Sequence, residues 1–167
     1  MPAISGMGSI LKACHEYHVK RLIVCSSSLT LTGILDAKKE NDVYDEKDYA
    51  TLSDKMDFYM RSKILQEQEV KNYLKEQKRR ADGSLLEIIT LHPPMVLGPT
   101  LIPERKSTPE AIRKIMSGKI PGVPKMMLPY VDIRDLGEAF IKSIELENVV
   151  YERFVISKDS IWMSEML

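Results

Sequence analysis

No apolar stretch in this sequence approaches the ~20 residues that a helix needs to cross a bilayer, so no helical membrane span is expected. The opening Met-Pro-Ala-Ile-Ser-Gly carries neither a basic segment nor a long apolar one, and does not read as a secretory signal. An excess of one charge is also lacking. Lys+Arg and Asp+Glu both number 24, which gives no footing for nucleic acid or an anionic membrane as partner. The short run Lys78-Arg79-Arg80 reads as the solvated end of a helix. Cysteine is scarce. Cys14 and Cys25 are unclustered, a pattern of reduced, packed thiols in a cytoplasmic setting. His15, His18 and His92 show no metal-ligand spacing with each other or with the cysteines, so they are read as structural or solvated and no metal is expected. Finally, no Gly-x-Gly-x-x-Gly follows any expected strand; Gly6 and Gly8 precede the first one and fall within a helix.

What is present suits one folded domain. The chain has 167 residues, 44% apolar and 29% charged, enough for a core and too short to expect two domains. Ile4, Met7, Ile10, Leu11 and Cys14 recur at helical spacing over 3–18. Leu22-Ile23-Val24-Cys25 is a continuous apolar run of the kind found in a buried parallel strand, followed by a Ser-rich turn. Residues 36–54 are polar and read as a surface loop. Helical spacing returns over 56–77 through Met56, Tyr59, Met60, Ile64, Val70 and Leu74, and Ala81-Asp82-Gly83-Ser84 marks its stop. A second strand runs from Leu85 to Leu91 and halts at Pro93-Pro94. Thr108-Pro109-Glu110 opens a helix that Gly118 closes. An extended segment at 126–131, a helix from Asp132 to about Glu147, and a strand at 153–156 complete the order. Alternating helices and apolar strands imply an α/β parallel sheet with helices on both faces.

Three features carry chemistry. Tyr59-Met-Arg-Ser-Lys63 lies inside a helix, where i, i+4 spacing sets phenol and ammonium on one face. A neighbouring Lys⁺ favours phenolate, making the phenol a better proton donor near neutrality. Taken alone, the spacing is equally that of a surface pair on a helix. Ser26-Ser27-Ser28 follows a buried strand at its C-terminal end, where open α/β sheets place ligands. Hydroxyls there can stabilise charge developing on a carbonyl oxygen, or simply cap their own turn. His92-Pro93-Pro94-Met95-Val96-Leu97-Gly98-Pro99 fixes an irregular loop after the next strand.

The order of these features resembles the extended short-chain dehydrogenase/reductase superfamily, in particular its dihydroflavonol 4-reductase and cinnamoyl-CoA reductase group. Val19 to Val24, the acidic Tyr44-Asp45-Glu46-Lys47-Asp48-Tyr49, and Val131-Asp132-Ile133-Arg134-Asp135-Leu136-Gly137 are similar to the matching family stretches. The resemblance implies a Rossmann-like doubly wound fold and NADPH-dependent reduction of a small-molecule carbonyl substrate. It makes Ser28 the carbonyl-orienting serine, Tyr59 the proton donor, and Lys63 the residue that tunes Tyr59 and holds the nicotinamide ribose. Ser26, Ser27, Pro93 and Val96 would border the cofactor. The helices at 3–18 and 56–77 would pack side by side and offer a homodimer contact.

The resemblance also sets the expected departures. Residues 1–167 would form a single incomplete domain, the C-terminal part of a reductase domain with part of its substrate lobe. The pyrophosphate-binding turn would lie ahead of residue 1 or come from another chain of a larger assembly, so NADPH binding by these residues alone should be weak. Two other readings stay open: a non-catalytic remnant serving as a structural or interaction subunit, and a sugar-nucleotide epimerase of the same superfamily.

Overall fold

A computed structural model of the chain describes residues 2–33, 43–77, 79–100, 108–118, 122 and 125–166. Within these the chain divides into two compact units. The first comprises 1–92 and 142–155, the second 93–141 and 156–167. Residues 36–42 of the expected surface loop, and Lys78 of the basic run, lie outside the described residues.

The first unit is built on a parallel three-stranded sheet in the order β1-β2-β5, from Arg21–Cys25, Glu87–His92 and Tyr151–Val155. Leu22 pairs with Ile88 and Val24 with Thr90, and Thr90 in turn with Arg153. Helices α1 (Pro2–Glu16) and α3 (Phe58–Glu76) pack together, as their periodicity requires. Met7, Leu11 and Cys14 of α1 meet Val70 of α3, Val24 and Ile88 of the sheet, and Leu86 just ahead of β2 in one core. Ile89 and Leu91, which alternate with Ile88, are also fully buried, so β2 is covered on both faces.

Burial corrects three expectations here. Ile10, expected on the inward side of α1, is 48% exposed: its 100° step from Leu11 carries it past the contact with α3. Cys25, expected to be packed, is exposed at the end of β1. The turn after β1 is not only a turn: Leu29–Thr32 forms one helical turn, α2, with Gly33 closing it at φ +60°. Four residues are too few to leave a periodic signal. Asp57 caps α3, its carboxylate accepting from the Met60 amide at 2.7 Å.

The second unit holds a mixed sheet in the order β3-β4-β6, from Met95–Leu97, Met127–Asp132 and Asp159–Trp162. β3 and β4 run parallel; β4 and β6 run antiparallel. Helix α4 is Thr108–Met116, and α5 runs from Ile133 to Glu145, its last turn belonging to the first unit. A 3-10 turn covers Met163–Met166. The expected loop at 93–99 is therefore a short strand between turns, and β6 went unforeseen. Three and four residues of unremarkable apolarity declare themselves only through a partner strand. Gly98 is needed where it stands. Its φ is +122°, and a Cβ there would come within 2.8 Å of the Ile133 side chain.

Candidate functional site

Each functional candidate in the first unit owes its place to a sheet edge or a helix face. β1 ends at Cys25, and the Ser26 amide donates to the Leu91 carbonyl at 2.8 Å, carrying the β1–β2 pairing one residue further. Ser26 and Ser27 are consequently buried. The Ser27 hydroxyl accepts from the Leu29 amide at 3.3 Å, a local Ser turn. Ser28 is the N-cap of α2 and is only partly buried, and its side chain makes no cap hydrogen bond. Its carbonyl accepts from the Leu31 and Thr32 amides instead. Of the three serines, Ser27 accepts the side-chain hydrogen bond that closes the turn.

Tyr59 and Lys63 stand one turn apart on α3, with the ammonium 6.0 Å from the phenol ring centroid. Tyr59 is 56% exposed. The Lys63 Nζ donates to the Cys25 carbonyl at 2.9 Å. This bond joins the Tyr-x-x-x-Lys helix to the last residue of β1, immediately before the serines. In the second unit Pro93 begins the chain's exit from β2, and Val96 lies in β3, paired with Val131. There Asp132 accepts from the Arg134 amide and guanidinium, which hold its carboxyl down at about 2.

One group of site residues escaped the sequence reading. The next turn of α3 after Lys63 carries Glu67, only 5% exposed. Its carboxylate lies 2.7 Å from the Arg153 guanidinium of β5 and 3.7 Å from His92 Nε2. The Arg153 contact lacks hydrogen-bond alignment and is one of charge against charge. Burial pushes the Glu67 carboxyl above its ordinary range; the Thr30 hydroxyl and the Arg153 charge pull against that rise. His92 is fully buried, and burial together with Arg153 depresses it to about 4, so its ring is neutral. Its Nδ1 faces the Ser27 carbonyl at 3.2 Å and the Thr30 hydroxyl at 2.9 Å, while Nε2 faces the Thr90 hydroxyl at 2.8 Å. Because the Ser27 carbonyl can only accept, Nδ1 carries the proton. The sequence did hold a signal, a glutamate at i+8 from Tyr59 on the face of Lys63.

Among the described residues no group of His, Cys, Asp and Glu could hold a metal ion, and no helix is long and apolar enough to cross a membrane.

A parallel α/β sheet with a serine-rich turn at its carboxyl edge defines a Rossmann-like class. The chain belongs to the NAD-dependent epimerase/dehydratase family, whose model matches residues 3–157. It is 30% identical over 168 residues to the ketoreductase azaE of Aspergillus niger, covering 92% of this chain and 47% of that protein. It is 38% identical over 109 residues to dihydroflavonol 4-reductase of Medicago sativa, covering 61% of this chain and 46% of that one. Its fold matches the crystal structure of the yeast methylglyoxal/isovaleraldehyde reductase Gre2 complexed with NADPH, with a TM-score of 0.77 at 21% identity, over 98% of this chain and 52% of that one. The chain thus spans about half the length of the relatives it matches.

Proposed function

We propose that these residues carry the proton-donating part of a reductase that uses NADPH to reduce a ketone or similar carbonyl on a small organic substrate. The observation that bears the reading is the Lys63–Cys25 bond, because it ties the Tyr-x-x-x-Lys helix to the carboxyl end of the serine strand. Tyr59 offers an accessible phenol as proton donor to the carbonyl oxygen. Lys63, held at the strand end, supplies fixed positive charge beside it. Ser28 keeps a hydroxyl outside the α2 cap, suited to hold the substrate oxygen while it gains charge.

The donor set fits the nicotinamide end of a dinucleotide: an ammonium and hydroxyls at the carboxyl edge of a parallel sheet. When bound, NADPH supplies the hydride. A pyrophosphate cradle is a different requirement, and no Gly-x-Gly-x-x-Gly occurs in these 167 residues. The ketoreductase and dihydroflavonol reductase relatives favour a carbonyl over a sugar nucleotide as substrate. Two unbridged cysteines suit a cytoplasmic protein. A groove of about 620 Å³ along α1 and α3, lined by Leu11, His15, Glu69 and Tyr73, is the surface on which we place a homodimer contact.

The test is NADPH consumption by the native polypeptide that carries these residues, against a panel of ketones. Wild type should turn over at least one, and Tyr59→Phe should lower kcat by about a hundredfold or more, as loss of a general acid does. Unchanged turnover in Tyr59→Phe would overturn the reading.

A further inference from the structure

We propose that Glu67 is a positioning residue for this site: through Arg153 and the His92–Thr30 pair it holds the serine turn and the 43–50 segment against the helix bearing Tyr59 and Lys63. The inference rests on the reductase reading of Ser28, Tyr59 and Lys63.

Three segments converge on one buried carboxylate. Glu67 shares a face of α3 with Tyr59 and Lys63, at successive i+4 steps. Opposite it, Arg153 of β5 is 7% exposed and faces more than Glu67. Its NH1 donates to the backbone carbonyls of Glu46 and of Asp48, the latter at 2.8 Å. Its guanidinium also lies 3.8 Å from the Tyr49 ring, on which the Lys71 ammonium sits at 3.5 Å. The polar 43–50 segment is therefore anchored, and the Ala50 amide adds a bond to the Thr30 carbonyl at 2.8 Å. The serine turn is reached by a second route. The Thr30 hydroxyl donates to the Ser27 carbonyl at 2.8 Å, and His92 Nδ1 shares both atoms.

A carboxylate without water in this position costs stability unless it is paired, and the arrangement around it is more than the pair requires. A Glu–Arg contact alone would join α3 to β5. Here the same guanidinium also grips two loop carbonyls, and the neighbouring histidine grips the turn that presents Ser28. With its charge removed, Glu67 would release Arg153 from α3. The helix with the proton donor and the turn with the orienting serine would then settle independently, and catalysis depends on placement at the scale of an ångström.

The variants Glu67→Gln, isosteric and neutral, and Glu67→Asp, charged and shorter, separate positioning from mere folding in the native polypeptide. In Glu67→Gln, amide hydrogen exchange at 26–30 and 43–50 should rise by about tenfold while the α1 and α3 core amides keep wild-type rates. kcat should fall by about tenfold with both KM values within about twofold, and Glu67→Asp should recover part of each. Glu67→Asp also serves as the test if Glu67→Gln does not fold: it keeps a charge facing Arg153 at a longer reach and should show a smaller exchange rise confined to the same two segments. Exchange unchanged at both segments, or raised evenly over the whole unit, would overturn the proposal. So would a local rise with kcat intact. An inactive wild type would instead sink the reductase reading and the positioning role with it, whereas an active wild type and an equally active Glu67→Gln would sink the positioning role alone.

Discussion

The two units bury their sheets to different depths. In the first, Ile88, Ile89, Thr90, Leu91 and His92 of β2 are each at most 1% exposed. In the second, β4 alternates between exposed and half-buried from Met127 to Tyr130, and only Val131 is fully buried, at 2%. A strand covered on both faces denies water to every polar group beside it. Thr90, His92, Glu67 and Arg153 must therefore answer one another, and their geometry becomes rigid. A half-covered sheet imposes no such closure. It borders a cleft of about 700 Å³ lined by Val96, Thr100, Ile112, Arg113, Met116 and Met166. The contrast separates a unit built to hold fixed groups from one whose surface can change at little cost to folding.

The sharpest break of this contrast is Arg153→Ala. It leaves Glu67 charged and unpaired in the first unit and should cost about 3–5 kcal/mol in urea unfolding followed by circular dichroism. A loss below about 1 kcal/mol would mean that water reaches the carboxylate. Next comes a matched truncation. Ile89→Ala, in the doubly covered strand, should cost about 3 kcal/mol, while Leu128→Ala in half-buried β4 should cost about 1 kcal/mol or less, since the site can relax into solvent. Equal losses would erase the distinction between the units.

Acid sharpens it further. His92 titrates at about 4 in the fold against 6.5 ordinarily. Between those values the unfolded chain binds more protons, so stability present above pH 6.5 is lost as pH falls toward 4, by up to about 3 kcal/mol. Glu67, whose folded value is raised, acts in the opposite sense: its contribution is present at low pH and is lost as pH rises. Measuring the slope in a Glu67→Gln background isolates His92, and His92→Gln should flatten it. A further test belongs to the second unit. Gly98→Ala should cost about 2 kcal/mol, from a positive φ and a Cβ pressed on Ile133. A neutral result would show that α5 yields there.

Much of the scaffold was legible because its signals are local. α1 and α3 follow apolar spacing, β1 and β2 are apolar runs, Asp132 opens α5, and Gly98 sits in the loop where a tight turn calls for it. α2, β3 and β6 were missed because each is four residues or fewer and depends on a neighbour for its form. The site divides in the same way. Tyr59 and Lys63 are paired by helix geometry alone, and the serine triplet follows its strand in the chain. Glu67 reads in sequence as one more charge on a polar helix, and Arg153 as one more charge in a short strand.

The sequence by itself determined which residues could act: a phenol and an ammonium one turn apart, and hydroxyls just after a buried strand. Those facts depend on the repeat of a helix and the direction of a strand, which a few neighbouring residues settle. Only the tertiary structure decided which charges lose their water. Glu67, His92 and Arg153 lie on a helix and two strands far apart in the chain, and they become partners because parallel pairing sets Thr90 beside Arg153 and α3 closes over both. Burial is a property of what covers a residue, and no local pattern in the sequence carries that.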